Sequence, residues 1–323
     1  MSERIEVSSS PRISVVMAIF KEPIEWIRQA IDSILCQTYK DFEFIIINDN
    51  PGRIDNREIL DEYSRLDSRV IIIENERNIG LTKSLNKGIS IAKGEYIARM
   101  DADDISLPKR FETQVSFMDS HKSIGVCGTA IRTFGDKHNT VYYPEDNSTI
   151  FLFLDNCFAH PTVVMRKDIA NLLYDENCIF AQDFDLWYRA FSCGASFYNI
   201  QEPLLFYRCN QRQISSNRRI EQDKIAQAIR RKAYDDYSRK HNIGLFMEDV
   251  SFSLENILLF FEKTELPDRE RSKFLYYLLL SNESSFFPLF VFVIKHKMYH
   301  YVRIGNLIRV LYYTLKGDNY KKF

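Results

Sequence analysis

The amino-acid sequence predicts an α/β fold: an open, mostly parallel sheet flanked by helices, with a helical region at the C-terminal end. Three observations lead there. Ile13 to Ile19 and Phe42 to Ile47 are apolar runs rich in β-branched residues, as strands buried on both faces require. Stretches with helical spacing of apolar residues alternate with such runs across short connections. Turn residues punctuate the boundaries, most clearly at Asn48-Asp49-Asn50-Pro51-Gly52. Crossovers in such sheets are right-handed, and ligands bind outside the carboxyl ends of the strands.

Ile13 to Ile19 is the first strand. Pro23 opens a helix to about Cys36, with Ile24, Ile27, Ile31, Ile34 and Leu35 on one face. Phe42 to Ile47 is the second strand, Ile54 to Leu66 a helix, and Val70 to Ile73 the third strand. After the loop Asn78-Ile79-Gly80, Leu81 to Ala92 is a helix that Gly94 stops. Tyr96 to Met100 is the fourth strand. Ala18, Ile19, Asp49, Asn78, Asp101 and Asp103 all fall at strand carboxyl ends and are expected to converge. Pro108 to about His121 is helical. Beyond it, Gly125 to Ile131 and Val141 to Tyr143 read as an antiparallel excursion, and Thr162 to Arg166 as a short strand. Asp183 to Cys193 is an amphipathic helix with Phe184, Trp187, Tyr188 and Phe191 apolar. Ala195 to Ile200 and Leu204 to Tyr207 are two further strands. From about Ser215 the chain turns helical and basic, then rich in Phe, Tyr and Leu. This divides it into an extension over 1–12, a main domain over 13–215 and a helical region over 216–323.

The 323 residues can bury a large core. A formal net charge of −1 gives no global field favouring nucleic acid or a membrane. The six cysteines lack Cys-x-x-Cys spacing, which fits reduced thiols rather than a disulfide framework or a zinc site. Met1 to Ser10 is polar, without the apolar core of a signal peptide. The apolar run Phe286 to Ile294 is too short to span a bilayer, so no transmembrane helix is expected.

The chemistry concentrates in Asp101-Ala102-Asp103-Asp104, at the exit of the fourth strand. Carboxylates this close repel one another unless a cation or hydrogen bonds compensate. Oxygen-only ligands suit Mg²⁺ or Mn²⁺. Asp104 or Ser106 is expected to cap the helix at Pro108. Asp49 is either a turn residue or an acceptor for a base ring N–H. His160 is either a structural histidine or an acceptor or diphosphate contact. In Gln182-Asp183-Phe184-Asp185, one acid suffices for the helix dipole. Asp185 can pair with Arg189 four residues on, leaving Asp183 for the cleft as a general base.

Taken together, these stretches resemble the family-2 glycosyltransferases of the GT-A fold, especially those that build bacterial surface polysaccharides. The resemblance runs from about Pro11 to Ser216. It rests on Ser14-Val15-Val16-Met17-Ala18-Ile19, the Asp49 turn, Asn78-Ile79-Gly80-Leu81, Met100 to Asp104, His160-Pro161 and Gln182 to Trp187. It implies that Ala18, Ile19, Glu22, Asp49, Asn78, Lys83 and Asp101 border the nucleotide. It implies that Asp103, with Asp101, holds Mn²⁺ or Mg²⁺, and that Asp183 deprotonates the acceptor hydroxyl. His160, Gln182 and Asn210 are expected near the acceptor or diphosphate. The implied reaction is inverting transfer from a nucleoside-diphosphate sugar, UDP-linked, to a glycan or lipid-linked hydroxyl.

The chain departs from the family in places. Ala18-Ile19-Phe20-Lys21 stands where Pro-x-Tyr-Asn is common, Asn48 where a second acid is usual, Gln182 where Glu is usual, and Asn210 where many members carry His. A nucleotidyltransferase needs a Gly-rich basic loop after the first strand, and a dinucleotide oxidoreductase needs Gly-x-Gly-x-x-Gly. Neither is present. The non-enzyme alternative is a sugar-nucleotide-binding or scaffold protein on the same fold. After Ser284, aromatic residues interleave with Lys and Arg. This tail is expected either to pack as a helical appendage or to contact anionic membrane as an interfacial anchor, at the cytoplasmic face.

Overall fold

The computed structural model describes residues 10–143, 145, 156–209 and 219–240. The chain divides into two compact units, Met1–Asn147 with Cys157–Ile225, and Ser148–Asn156 with Ala226–Phe323. The sheet lies in the first.

Its first half is β1 (Ile13–Ile19), α1 (Ile24–Leu35), β2 (Phe42–Asn48), α2 (Ile54–Leu66), β3 (Val70–Glu74), α3 (Leu81–Ile91) and β4 (Tyr96–Arg99). The four strands lie in the order β3-β2-β1-β4, every pair parallel. Helices cover them, so β2 is buried along its whole length and β1 nearly so. Each fully buried Ile or Phe contributes about 1.5–3 kcal/mol relative to exposure, which is why these apolar runs form the core. One polar network sits inside it. The Ser14 hydroxyl donates to Glu43 (2.5 Å) while accepting from the Gly94 N–H (2.7 Å), and the Lys93 N–H donates to the same Glu43 oxygen (2.7 Å). This fixes the entry of β4 against β1. A Cβ at Gly94 would stand 2.4 Å from the Ser14 nitrogen.

The second half is β5 (Ile105–Ser106), α4 (Arg110–Ser120), β6 (Ile124–Gly135), β7 (Thr140–Val141), a 3₁₀ turn His160–Thr162, β8 (Val164–Arg166), α5 (Lys167–Ala170), α6 (Gln182–Ser192) and β9 (Ser196–Cys209). The sheet continues from β4 through β8, β6 and β9 to β5, with β7 beside β6. β4–β8, β6–β8, β5–β9 and β6–β7 are antiparallel, whereas β6–β9 is parallel. The open, helix-flanked α/β sheet is therefore as expected, parallel in its first half and mixed in its second. α7 (Arg219–Lys240) falls in the stretch expected to be helical, and the residues beyond Lys240 lie outside those described.

Several local expectations are corrected. The two strands expected at Ala195–Ile200 and Leu204–Tyr207 are one strand, β9. Its register shifts where Thr129 pairs with Ile200 and Ala130 with Pro203, so the Gln201-Glu202-Pro203 interruption is a bulge, not a turn. The short β5 was not foreseen, because two residues carry no periodicity. Neither Asp104 nor Ser106 caps a helix: α4 begins after Lys109, with no side-chain cap. Ser106 instead lies in β5 and accepts from Gln37 (3.1 Å), and Asp104 is wholly buried.

Candidate active site at the strand carboxyl ends

β1 lies between β2 and β4, and the chain runs outward to β3 before returning to β4. That reversal opens the crevice beside the ends of β1 and β4. The Met100 N–H bonds the Val16 carbonyl (3.1 Å) and the Arg99 N–H bonds the Val163 carbonyl (3.0 Å). The chain leaving β4 is thus pinned on both sides, and the acids that follow have a defined origin.

Asp101, Asp103 and Asp104 bring one carboxylate oxygen each within 4.8 Å of one another. Arg208, on β9, shapes this loop. Its N–H donates to Asp104 (2.8 Å), its Nε to the Asp103 carbonyl (2.7 Å) and its Nη2 to Gln29 (2.7 Å). Its guanidinium lies over the rings of Phe134 (4.3 Å) and Trp26 (4.5 Å). The buried Arg99 pairs with Asp101. Burial, then Asp101 and Glu22, push the Asp103 carboxyl up to about 7, and burial with Asp103 and Asp101 holds Asp104 well above the ordinary range. Three clustered acids, one of them paired with Arg99, make a hard, electron-rich oxygen set, and that set fits a divalent cation such as Mg²⁺ or Mn²⁺.

Ala18, Ile19, Glu22, Asp49, Asn78 and Lys83 lie at or after the carboxyl ends of β1, β2 and β3. Ala18 is half-buried and Ile19 fully buried at the end of β1. Glu22 accepts the Phe20 N–H (2.7 Å) and acts electrostatically on Asp103. Asp49, nearly buried, accepts from Asn75 (2.8 Å), the Ile79 N–H (2.8 Å) and the Gly80 N–H (2.9 Å). It thereby builds the loop that carries the exposed Asn78, and Gly80, with φ +90°, supplies the left-handed turn into α3. Lys83 is exposed, its Nζ 3.8 Å from Glu176. Asn210 lies outside the described residues.

On the far side, α6 begins at Gln182, and Asp183 and Asp185 occupy its first turn. Asp185 pairs with Arg189 (2.7 Å), as the spacing predicts, while Asp183 is half-buried. His160 Nε2 lies 2.7 Å from the Tyr174 hydroxyl, and burial and Arg99 hold its imidazole well below the usual histidine range. Burial raises the Tyr174 hydroxyl well above the usual tyrosine range, with Arg99 lowering it and Asp183 and Asp101 raising it electrostatically. Sequence reasoning missed Arg99 and Tyr174. Arg99 carried a signal, a charge closing an apolar strand; Tyr174 carried none.

This geometry can be set beside known proteins. Residues 14–181 match the profile of Glycosyl transferase family 2. An uncharacterized glycosyltransferase of Methanocaldococcus jannaschii is 39% identical over 209 residues, which cover 62% of this chain and 72% of that one. The O-antigen biosynthesis glycosyltransferase WbnJ of Escherichia coli is 38% identical over 209 residues, covering 62% and 80%. The crystal structure of S. aureus TarS 1–349 in complex with UDP-GlcNAc superposes with a TM-score of 0.56 at 14% identity, covering 95% of this chain and 92% of that one, and so shares the fold. With more than half its length matched by the family profile and a crevice built at the same stretches, the chain belongs to glycosyl transferase family 2.

Proposed function

We propose that the protein is an inverting glycosyltransferase of cell-surface polysaccharide synthesis. It moves a sugar from a nucleoside-diphosphate sugar, UDP-linked, to a hydroxyl of a glycan or lipid-linked acceptor. One observation carries this reading: the fold of a family-2 glycosyltransferase sets three clustered acids, Asp101, Asp103 and Asp104, at the exit of β4, with Asp183 in the first turn of α6. A donor-binding acid set and a separate carboxylate are what a single displacement requires. The O-antigen relative and the UDP-GlcNAc complex support the substrate class.

Asp103, with Asp101, would hold Mn²⁺ or Mg²⁺, and the ion would neutralise charge on the departing diphosphate. Ala18, Ile19, Glu22, Asp49, Asn78 and Lys83 line the nucleotide side. Asp183 takes the proton of the acceptor hydroxyl as the oxygen attacks the anomeric carbon on the face opposite the diphosphate. Arg99 holds Asp101 in place beside the donor. His160, Gln182 and Asn210 belong to the acceptor or diphosphate side. The Phe-, Tyr- and Lys-rich tail after Ser284 supports reversible attachment to anionic membrane at the cytoplasmic face, where a lipid-linked acceptor would be met.

The test is a panel of sugar nucleotides offered to the purified full chain with Mn²⁺, with nucleoside diphosphate release measured. Release from a UDP-sugar, stimulated by a polyprenyl-linked acceptor and giving the inverted anomer, is expected. Binding of UDP-sugars without release from any member would overturn the reading in favour of a non-catalytic binding protein.

A further inference from the structure

The acid loop is anchored at its start by the hydrogen bonds of Arg99 and Met100, and at its end by β5, which pairs with β9. Between these anchors it meets Arg208, which sits near the end of β9 opposite Phe134 of β6. The Arg208 backbone N–H donates to Asp104 (2.8 Å), and its Nε donates to the Asp103 carbonyl (2.7 Å). One residue of β9 therefore holds two consecutive acids, one by its main chain and one by its side chain. The same guanidinium is held from α1. Nη2 donates to Gln29 (2.7 Å), and Gln29 donates to Glu25 in the first turn of that helix (3.2 Å). The planar group also lies over two rings, 4.5 Å from the centre of Trp26 on α1 and 4.3 Å from that of Phe134.

Two accounts of Arg208 make opposite demands on a cation bound by these acids. As a charge, a guanidinium beside Asp103 and Asp104 repels a cation, so its loss should tighten cation binding. As a strut, it fixes the main chain from which the Asp103 carboxylate projects. The three carboxylates offer oxygens within 4.8 Å of one another. Like charges at that spacing drive apart unless the backbone beneath them is held, so loss of the strut should weaken cation binding. The geometry favours the strut. The Nε bond ends on a main-chain oxygen, where it sets the course of the loop rather than neutralising an acid. Stacking on two rings while donating in two directions needs a rigid planar fork, which an ammonium group lacks.

We propose that Arg208 is a positioning residue for the divalent cation: by tying the Asp103 main chain to β9 and α1, it keeps the oxygens of Asp101, Asp103 and Asp104 at the spacing a cation requires. This rests on the acid cluster being the cation site, as proposed above. Trp26 and Gln29 act through Arg208, which makes α1 part of the same support. Outer partners of this kind typically change metal affinity by about 10–100-fold.

The experiment titrates the full chain with Mn²⁺ alone and reads the Kd from the electron paramagnetic resonance signal of the free ion. Urea midpoints report any loss of stability separately. Arg208→Gln removes charge and fork, and should weaken Mn²⁺ binding at least about tenfold. Charge alone predicts the opposite sign. Arg208→Lys keeps the charge without the fork and should also weaken binding at least about tenfold. Trp26→Leu removes one stacking face and should weaken binding about threefold or more. In Trp26→Leu with Arg208→Gln the two losses should not add, because the ring acts through the arginine. Unchanged or tighter Mn²⁺ binding in Arg208→Gln would overturn the proposal. So would wild-type affinity in Arg208→Lys, or losses that add in the double variant. If Arg208→Gln does not fold, wild-type affinity in Trp26→Leu overturns it still. No Mn²⁺ binding by the wild type would overturn the cation site together with this role, whereas wild-type binding that the variants leave unchanged would overturn this role alone.

Discussion

At the scale of single residues, the proposal gives Asp103 and Asp183 separate roles, and each charge can be removed without changing size. Asp103 sits among Asp101, Asp104 and Glu22, so its charge matters to anything bound there. Asp103→Asn should lower kcat/KM at least about 100-fold, the scale lost with a principal electrostatic group. It should also weaken Mn²⁺ binding measured by electron paramagnetic resonance. Wild-type Mn²⁺ affinity in that variant would remove Asp103 from the cation site. Asp183→Asn should lower kcat by about 10²–10⁴ while the donor Kd is unchanged, since only proton transfer is lost. If Asp185→Asn does this instead, the two acids have been assigned the wrong way round, although the Asp185–Arg189 pair argues against it. That pair, and the exposure pattern of α6, could be foreseen because i, i+4 spacing is a local property. The pairing of Arg99 with Asp101 could not. A charged residue at the end of an apolar run reads as a strand end, and only the assembled sheet reveals that Arg99 is 3% exposed.

Elements follow the same rule. α1, α2, α3 and the parallel strands were legible within a residue or two, because buried parallel strands are continuous apolar runs and the helices carry one apolar face. β9 was not, because Pro203 looks like a terminator until β6 is seen to absorb it as a bulge. The helix caps were misread because Asp104 spends its oxygen on the Arg208 N–H, a partner distant in sequence. The α3–β4 junction offers a direct test of packing. A Cβ at Gly94 would meet the backbone of Ile13 and Ser14 at 2.7 and 2.4 Å, where nothing can rotate away. Gly94→Ala should cost about 1–3 kcal/mol, read as a lower urea midpoint at unchanged slope. An unshifted midpoint would mean that β1 and β4 are less closely locked than described.

For the molecule as a whole, the thiols report the fold. Burial pushes Cys127 up to about 12, and Cys157 is also buried, whereas Cys36 and Cys193 are exposed. A maleimide at pH 7.5 should label Cys36 and Cys193 within minutes, and Cys127 and Cys157 only on unfolding. Fast labelling of Cys127 would contradict the position of β6 inside the sheet. Deleting residues 284–323 should abolish flotation with anionic liposomes at low salt, if each basic residue near the lipid contributes about 1 kcal/mol. Equal flotation of the full and shortened chains would make the tail a structural appendage. The strand order carries a last consequence, for how the chain reaches this state. β1 to β4 pair among themselves and can form early, but β5 waits for β9: Ile105 pairs with Phe206 and Asp104 with Arg208. Such distant closures are slow, because the entropy of the long loop is lost before any contact compensates. A nascent chain that has emerged only as far as α6 therefore holds a folded half-sheet with a loose acid loop. In pulse-labelled hydrogen exchange, β1 and β2 should gain protection before β9, so the acid loop would take its final shape only at the end of folding.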